Sequence, residues 1–365
     1  MSRKILQHIA LQCTVIILGI AILAACQAAS APTRLPTLDP PTGELIIYDW
    51  PDDLPKDVLD DFTAASGIHI QYLTYGNQEQ AVDNVRAGKI YDLVVMSNEL
   101  LARLANEKLL AEIDYSLIPN FRNISPNFRD LAYDPQNRHS IPFNWGIVGI
   151  MVRPDLLKKP IQHWADLWDP EFTGKIVTWR TPHAVIGAGL KGLGYSINSN
   201  SPAEFAAARQ RLLALRSRFI LMKEDDYTLA NYLIRGEASV ALAFARDVLE
   251  AQKIDASIEY VIPEEGAMLW GDNFVIPANS PNQAAAHAFL NYLLRPEIGA
   301  RLVAYNLYPT PNDAALPLID PIIRNNLIIF PPEAVLKKAE VQLPSDPAIW
   351  AIYDALWKDF LTAGK

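Results

Sequence analysis

The chain has 365 residues, half of them apolar and a fifth charged, which is enough to bury sizeable cores, too apolar for disorder, and long enough to favour two domains. It carries 32 Lys and Arg against 41 Asp and Glu, a net charge of −9, with no run of basic residues; this argues against a nucleic-acid or polybasic membrane surface and makes any charged partner a cation. Both cysteines, Cys13 and Cys26, fall within the first 26 residues, leaving the body of the chain without a CxxC metal site, a disulfide framework or a cysteine nucleophile.

Arg3 and Lys4 precede an apolar stretch from about Val15 to Ala25. It is short for a spanning helix and closes on small residues, the pattern of a secretory signal over 1–25. The stretch ends in Leu23-Ala24-Ala25-Cys26, which resembles the bacterial lipobox: cleavage before Cys26 would make its thiol the site of lipidation and leave a periplasmic or cell-surface lipoprotein. Residues 27–42 are rich in Pro, Ala and Thr without an apolar period, so 26–42 is expected to be a lipidated flexible tether. Loss of 1–25 removes Arg3 and Lys4 and no acid, and the charge of −9 becomes −11.

From Leu45 onward, β-type runs alternate with amphipathic stretches. Leu45 to Tyr48 predicts a strand; Pro55, with Val58, Leu59 and Phe62 on one face and Gly67 beyond them, predicts a helix. Ile68, Ile70 and Tyr72 alternate with polar residues, a helical stretch ends at Gly88, and Leu93 to Val95 predicts a third, buried strand before a helix near Leu100 to Leu109. This βαβαβ order implies a mainly parallel sheet with ligands beyond the carboxyl ends of its strands. Those ends carry Asp49-Trp50-Pro51-Asp52-Asp53 and Ser97-Asn98-Glu99.

After Pro142 a second series begins: extended runs at Trp145 to Val152 and Ile176 to Thr178, separated by a helix and turn over His163 to Lys175. A helix near Ala203 to Leu215, strands at Val240 to Phe244 and Tyr260 to Ile262, and an apolar helix at Ala284 to Leu294 follow. Ile349, Ile352, Tyr353, Leu356, Trp357, Phe360 and Leu361 form the apolar face of a last helix.

Gly187-Ala188-Gly189-Leu190-Lys191-Gly192 matches GxGxxG, but no acid stands about twenty residues on and Ala184 to Leu193 reads equally well as a small-residue helix stopped by Gly194. The six histidines, at positions 8, 69, 139, 163, 183 and 287, stand singly, without HExxH or HxH, and GxSxG is absent. Metal, cofactor and hydrolase chemistry therefore have no support. What remains is aromatic and acidic: Trp50 with Asp52, Trp270 with Asp272, and Tyr308. An indole face attracts an alkylammonium and a carboxylate accepts its charge-assisted hydrogen bond. A Trp beside an Asp also arises as core plus cap, and Asp272 alone could be a turn residue capping local amides.

With these residues in view, the chain resembles the spermidine/putrescine-binding proteins of bacterial ABC importers from Glu44 to Lys365. The resemblance rests on Tyr48-Asp49-Trp50, Tyr91 to Val95, Ser140 to Gly146 (SIPFNWG), Trp164 to Trp168, Trp270 to Asn279 (WGDNFVIPAN) and Tyr308 to Asn312 (YPTPN). It implies an α/β, two-lobed periplasmic-binding-protein fold, each lobe a mainly parallel sheet flanked by helices and joined to the other by crossover hinge strands. By that analogy lobe one is 43–141 plus 273–308 and lobe two 142–272 plus 309–365. Carried over residue by residue, Trp50, Trp270 and Tyr308 are aromatic walls, Phe244 stands where the family usually has Trp, Asp272 grips an ammonium, and Asp52 and Ser97 line the pocket. Two acids that hold the second amine correspond here to Thr181 and Ala184, beside Arg180; Asp53 and Glu99 replace pocket aromatics and Asp226 a small hydroxyl, so acids could have been relocated. The implied function is capture of a polyamine or related small amine for delivery to ABC permease subunits, by a monomer with no cofactor, metal or enzymatic step. A zwitterionic amino acid, and a surface enzyme or sensory subunit on the same scaffold, are the alternatives.

Overall fold

The computed structural model describes residues 43–222, 228–343 and 346–363. In strand β1 (Glu44–Asp49) Leu45 and Ile47 enter one core while Tyr48, on the opposite face, enters another, as a two-residue period requires. The helix Lys56–Ser66 buries Val58 and Phe62, one turn apart, and ends at Gly67, whose φ of 77° places it in the left-handed region that glycine adopts freely. Strand β2 (His69–Thr74) and strand β3 (Leu93–Ser97) both run parallel to β1. Between them the helix Gln78–Arg86 is capped by Asn77, whose side chain accepts from the Gln80 amide at 2.8 Å. The helix Asn98–Asn106 follows β3, so the predicted βαβαβ unit is present.

Strands β4 (Ser140–Val152) and β9 (Met268–Val275) form a long antiparallel pair, with Ser140 opposite Val275 and Val148 opposite Met268. β9 also pairs with β3, while β4 pairs with β7 (Val240–Ala243), which lies parallel to β5 (Ile176–Thr178), itself parallel to β6 (Phe219–Leu221). The sheet order is β2-β1-β3-β9-β4-β7-β5-β6, with β8 (Glu259–Val261) on β4 and β10 (Glu340–Val341) on β9. Each half thus holds three parallel strands, and the joining pair runs antiparallel to β3 and β7 that flank it, with only the short β10 parallel to β9. Pro41–Lys365 make one compact unit whose cores sit at the two ends of the sheet. Two clusters draw on residues from Leu45 to Phe143 and from Phe274 to Leu302, and two on residues from Val148 to Met268 and from Ile349 to Phe360.

Several local expectations change. His163–Lys175 is not a helix but two 3-10 turns, Trp164–Trp168 and Pro170–Phe172, because Asp166 folds back to accept from the His163 amide and Pro170 cannot continue a helix. The stretch after Tyr308 stays on the first half: the Ser125 amide donates to the Pro311 carbonyl, the Asn312 side-chain amide to the Leu294 carbonyl, and Ala315 lies against Gly299. The chain regains the second half only near Ile328, not at 308/309. The GxGxxG stretch lies in the helix Pro182–Lys191, with Gly194 turning at a φ of 78°. A Cβ at Gly187 would meet Met268 Sδ at 2.0 Å and one at Gly189 would meet Leu212 at 2.8 Å, so these glycines serve close packing. Among the described residues no helix is long and apolar enough to cross a membrane.

Candidate functional site

The ends of β1 and β3 and the middle of β9 bring carboxyl groups together. Asp49 ends β1 wholly buried, with the Tyr72 hydroxyl 3.0 Å and the Trp50 amide 2.7 Å from its oxygens. Asp53, in the following turn, is also buried and has the Asn144 side-chain amide 3.5 Å away. Asp272 lies opposite Ser97 on one side and Asn144 on the other, so it is a strand residue and not the turn cap that its local sequence permits. Gln78 fixes it from the first helix layer: the Gln78 amide donates to Asp272 Oδ1 at 3.1 Å while its own oxygen accepts from the Ser97 backbone at 3.0 Å.

Burial disfavours charge on all three groups. It pushes Asp49 well above the usual carboxylate range, with a further push from Asp53. Asp53 rises to about 8 through burial and the nearby Asp272 charge, and Asp272 to about 7 through burial, held down by its bond from Gln78. Among the described residues none of the three has an ion-pair partner; Arg246, whose charge acts on Asp53, is engaged with Glu250 at 3.0 Å. Nor does any group of three or more His, Cys, Asp or Glu among the described residues have the arrangement of a metal site.

Aromatic rings border these acids. Trp50 packs edge-on against Tyr75 with centroids 4.8 Å apart. Trp270, two residues before Asp272 and so on the same strand face, meets Tyr308 at 4.9 Å and Phe244 at 5.6 Å, both near-perpendicular. Opposite Trp270 stands Gly146, where a Cβ would come within 2.7 Å of the indole. The Trp145 amide donates to the Pro309 carbonyl at 3.2 Å, which ties the Tyr308 segment to β4. Among the described residues the Trp270 and Trp145 indole nitrogens and Asn144 Oδ1 are buried without a partner, so the joining strands β4 and β9 themselves carry unpaired donors and an acceptor.

The structure therefore gathers Trp50, Asp53, Ser97, Glu99 and Asp272 from the first half and links Phe244, Trp270 and Tyr308 in one aromatic row. Ser97 and Glu99 satisfy each other at 2.8 Å. Asp52 sits exposed at the rim with a φ of 60°, its carbonyl accepting from Arg246 at 3.4 Å. Arg180 is exposed and Thr181 half-buried at the start of the helix Pro182–Lys191; neither touches the acids. Asp226 lies outside the described residues, as does Cys26. Asp49, Gln78, Asn144 and Asp247 complete the surroundings without having been singled out by sequence. Asp49 and Asn144 stood inside quoted motifs, and nothing local marks Gln78, which reaches across 194 positions.

Comparison with known proteins follows the same lines. The profile described as bacterial extracellular solute-binding protein matches residues 57–328. The chain is 33% identical over 301 residues to the spermidine/putrescine-binding periplasmic protein of Escherichia coli, covering 82% of this chain and 86% of that one. It is 33% identical over 317 residues to the putrescine-binding periplasmic protein SpuD of Pseudomonas aeruginosa, covering 80% and 85%. Among solved structures, the spermidine/putrescine ABC transporter substrate-binding protein PotD of Streptococcus pneumoniae superposes with a TM-score of 0.75 at 30% identity, covering 89% of this chain and all of that one.

Proposed function

Since this chain belongs to the bacterial extracellular solute-binding proteins, we propose that it captures a polyamine or related small amine between its two halves and delivers it to the permease of an ABC importer. One observation carries this reading: among the described residues Asp49, Asp53 and Asp272 are buried together without an ion-pair partner, beside the Trp50 and Trp270 indoles. Such carboxyl groups are costly to keep charged, and a protonated amine supplies the missing charge while its methylenes cover the rings. The names of the relatives, spermidine/putrescine-binding and putrescine-binding, point to the same chemistry. Micromolar capture needs about −8 kcal/mol, within reach of one dried ion pair and aromatic enclosure.

In this reading the halves are lobes, with residues 309–319 counted in the first, and β4 and β9 are the hinge. An open cleft admits the amine, contact with both lobes favours closure, and the closed monomer docks on the permease. The task is binding, with no covalent step. Residues 1–25 serve as the export signal and Cys26 as the lipidated anchor of a periplasmic or cell-surface protein. A thermal-shift screen against polyamines, diamines, amino acids and sugars tests the ligand class, because a ligand of the native state raises its melting temperature. Amines should raise it and sugars should not; a shift with sugars alone would contradict the proposal. The anchor is tested by fatty-acid labelling: wild type should label and Cys26→Ser should not, and equal labelling would remove Cys26 from that role.

A further inference from the structure

The acids described above lie on the first half; the facing edge of the second half has a different chemistry. Thr178 ends β5 opposite Leu242 of β7, two residues before Phe244 of the aromatic row. The Trp179 indole donates at 3.2 Å to Asp247, in the helix Ala245–Ile254 that Phe244 introduces. Residues 178 and 179 thus border the Phe244 end of the row centred on Trp270. From the other side His183 Nδ1 lies 2.7 Å from Gln342 Oε1, and Gln342 hydrogen-bonds Tyr353, whose phenol feels the charge of Glu99. Glu99 in turn bonds Ser97, the strand partner of Asp272. Hydrogen bonds thus run from the start of the helix Pro182–Lys191 through Gln342 to Tyr353, and only the charge of Glu99 relates Tyr353 to the carboxylate side.

Three buried polar atoms in this arc have no partner among the described residues: Thr178 Oγ1, Thr181 Oγ1 and His183 Nε2. Thr178 is 0% exposed. It shares a sheet face with Ile176, which packs in the same core as Ala184, Val185 and Ile186 of that helix, so its hydroxyl lies on the face the helix start covers. The helix has ten residues, no side chain caps its first turn, and that turn holds no acid. Uncapped amides and the positive end of a helix dipole favour an oxygen acceptor and oppose an ammonium. The carboxylate nearby, Asp247, is already taken, accepting from the Phe244 amide at 2.9 Å and from Trp179.

We propose that the ligand is cationic at one end only: its ammonium lies against Asp53 and Asp272, and its far end is an oxygen group, a carboxylate or hydroxyl, received by Thr178, Thr181 and the first turn of the helix Pro182–Lys191. The inference rests on the reading that the cleft binds an amine. It is tested by calorimetric titration of the full chain in detergent with diamines, ω-amino carboxylates and amino alcohols of three to five carbons. One of the oxygen-ended series should bind at least about tenfold tighter than the diamine of equal length, and the two series tell carboxylate from hydroxyl. Thr178→Val should cut the affinity of the oxygen-ended ligand more than that of the diamine, and Thr181→Glu should reverse the order, each in protein whose melting temperature shows it folded. A diamine that binds as tightly or tighter in wild type, and is lost in Asp272→Asn, overturns this inference and leaves the amine reading standing. No binding by any of the three series overturns both.

Discussion

Asp53 and Asp272 carry an uncompensated cost that can be measured by pH. Their folded pKa values, about 8 and about 7, lie above the value of about 3.9 for an unfolded Asp. Between those limits the native state holds more protons than the unfolded one, so the stability these groups contribute is full at about pH 4 and is lost as pH rises through 7 to 8. The ligand-free melting temperature should therefore fall from pH 5 to 8.5, while affinity for a protonated amine should rise about tenfold or more as the carboxylates ionise. Melting curves and titrations at both ends of the range check this; a flat pair of profiles would mean that the two acids ionise normally. At this scale sequence was informative where the signal is residue type alone: Trp270 beside Asp272, Trp50 beside Asp52, and Tyr308 stood out as aromatic and acidic groups without any strand or helix assigned to them. It was silent on Gln78 and on the pairing of Asn144 with Asp53, since those meetings depend on register between segments 91 to 194 positions apart.

Elements were easiest to read where one face is buried and the ends are punctuated, as in the helix Lys56–Ser66, stopped by Gly67, or β5, found at the expected residues. The His163–Lys175 stretch failed because its apolar spacing is shared by successive 3-10 turns once Asp166 and Pro170 act. β9 is the harder case: its Trp, Gly, Asp and Asn read as a site or a turn, yet they form a central strand because β3 and β4 satisfy both backbone edges. Gly146 on β4 earns its place by the indole lying across it. Gly146→Ala should push Trp270 out of the aromatic row and weaken amine binding about tenfold, with a smaller effect on the unligated melting temperature. Titration and melting of that variant separate the two effects; undiminished affinity would show that the indole position does not matter.

For the whole molecule, the alternation of strands and helices implied two α/β halves, but the joining sheet and the late return of the chain near Ile328 follow from long-range pairing that no local pattern encodes. A second bridge away from the hinge has the same origin. Arg103, one turn after Glu99 in the helix Asn98–Asn106, stacks over Trp350 at 3.9 Å and lies 3.4 Å from Asp354, both in the C-terminal helix Pro347–Thr362. A cation over an indole is worth about 0.5–2 kcal/mol, so Arg103→Ala should speed ligand release by about 2- to 30-fold without touching the acids. Stopped-flow displacement reads this directly, and an unchanged release rate would mean the bridge is idle.

The central claim, that buried carboxylates grip an organic cation, is tested most directly by calorimetric titration of wild type and Asp272→Asn with the amine that gives the largest thermal shift. The amide keeps size and an acceptor but removes the charge. The account predicts a loss of about 2–5 kcal/mol in binding, with the unligated protein melting no lower than wild type because a costly buried charge has gone. Equal affinity in the two proteins would contradict it.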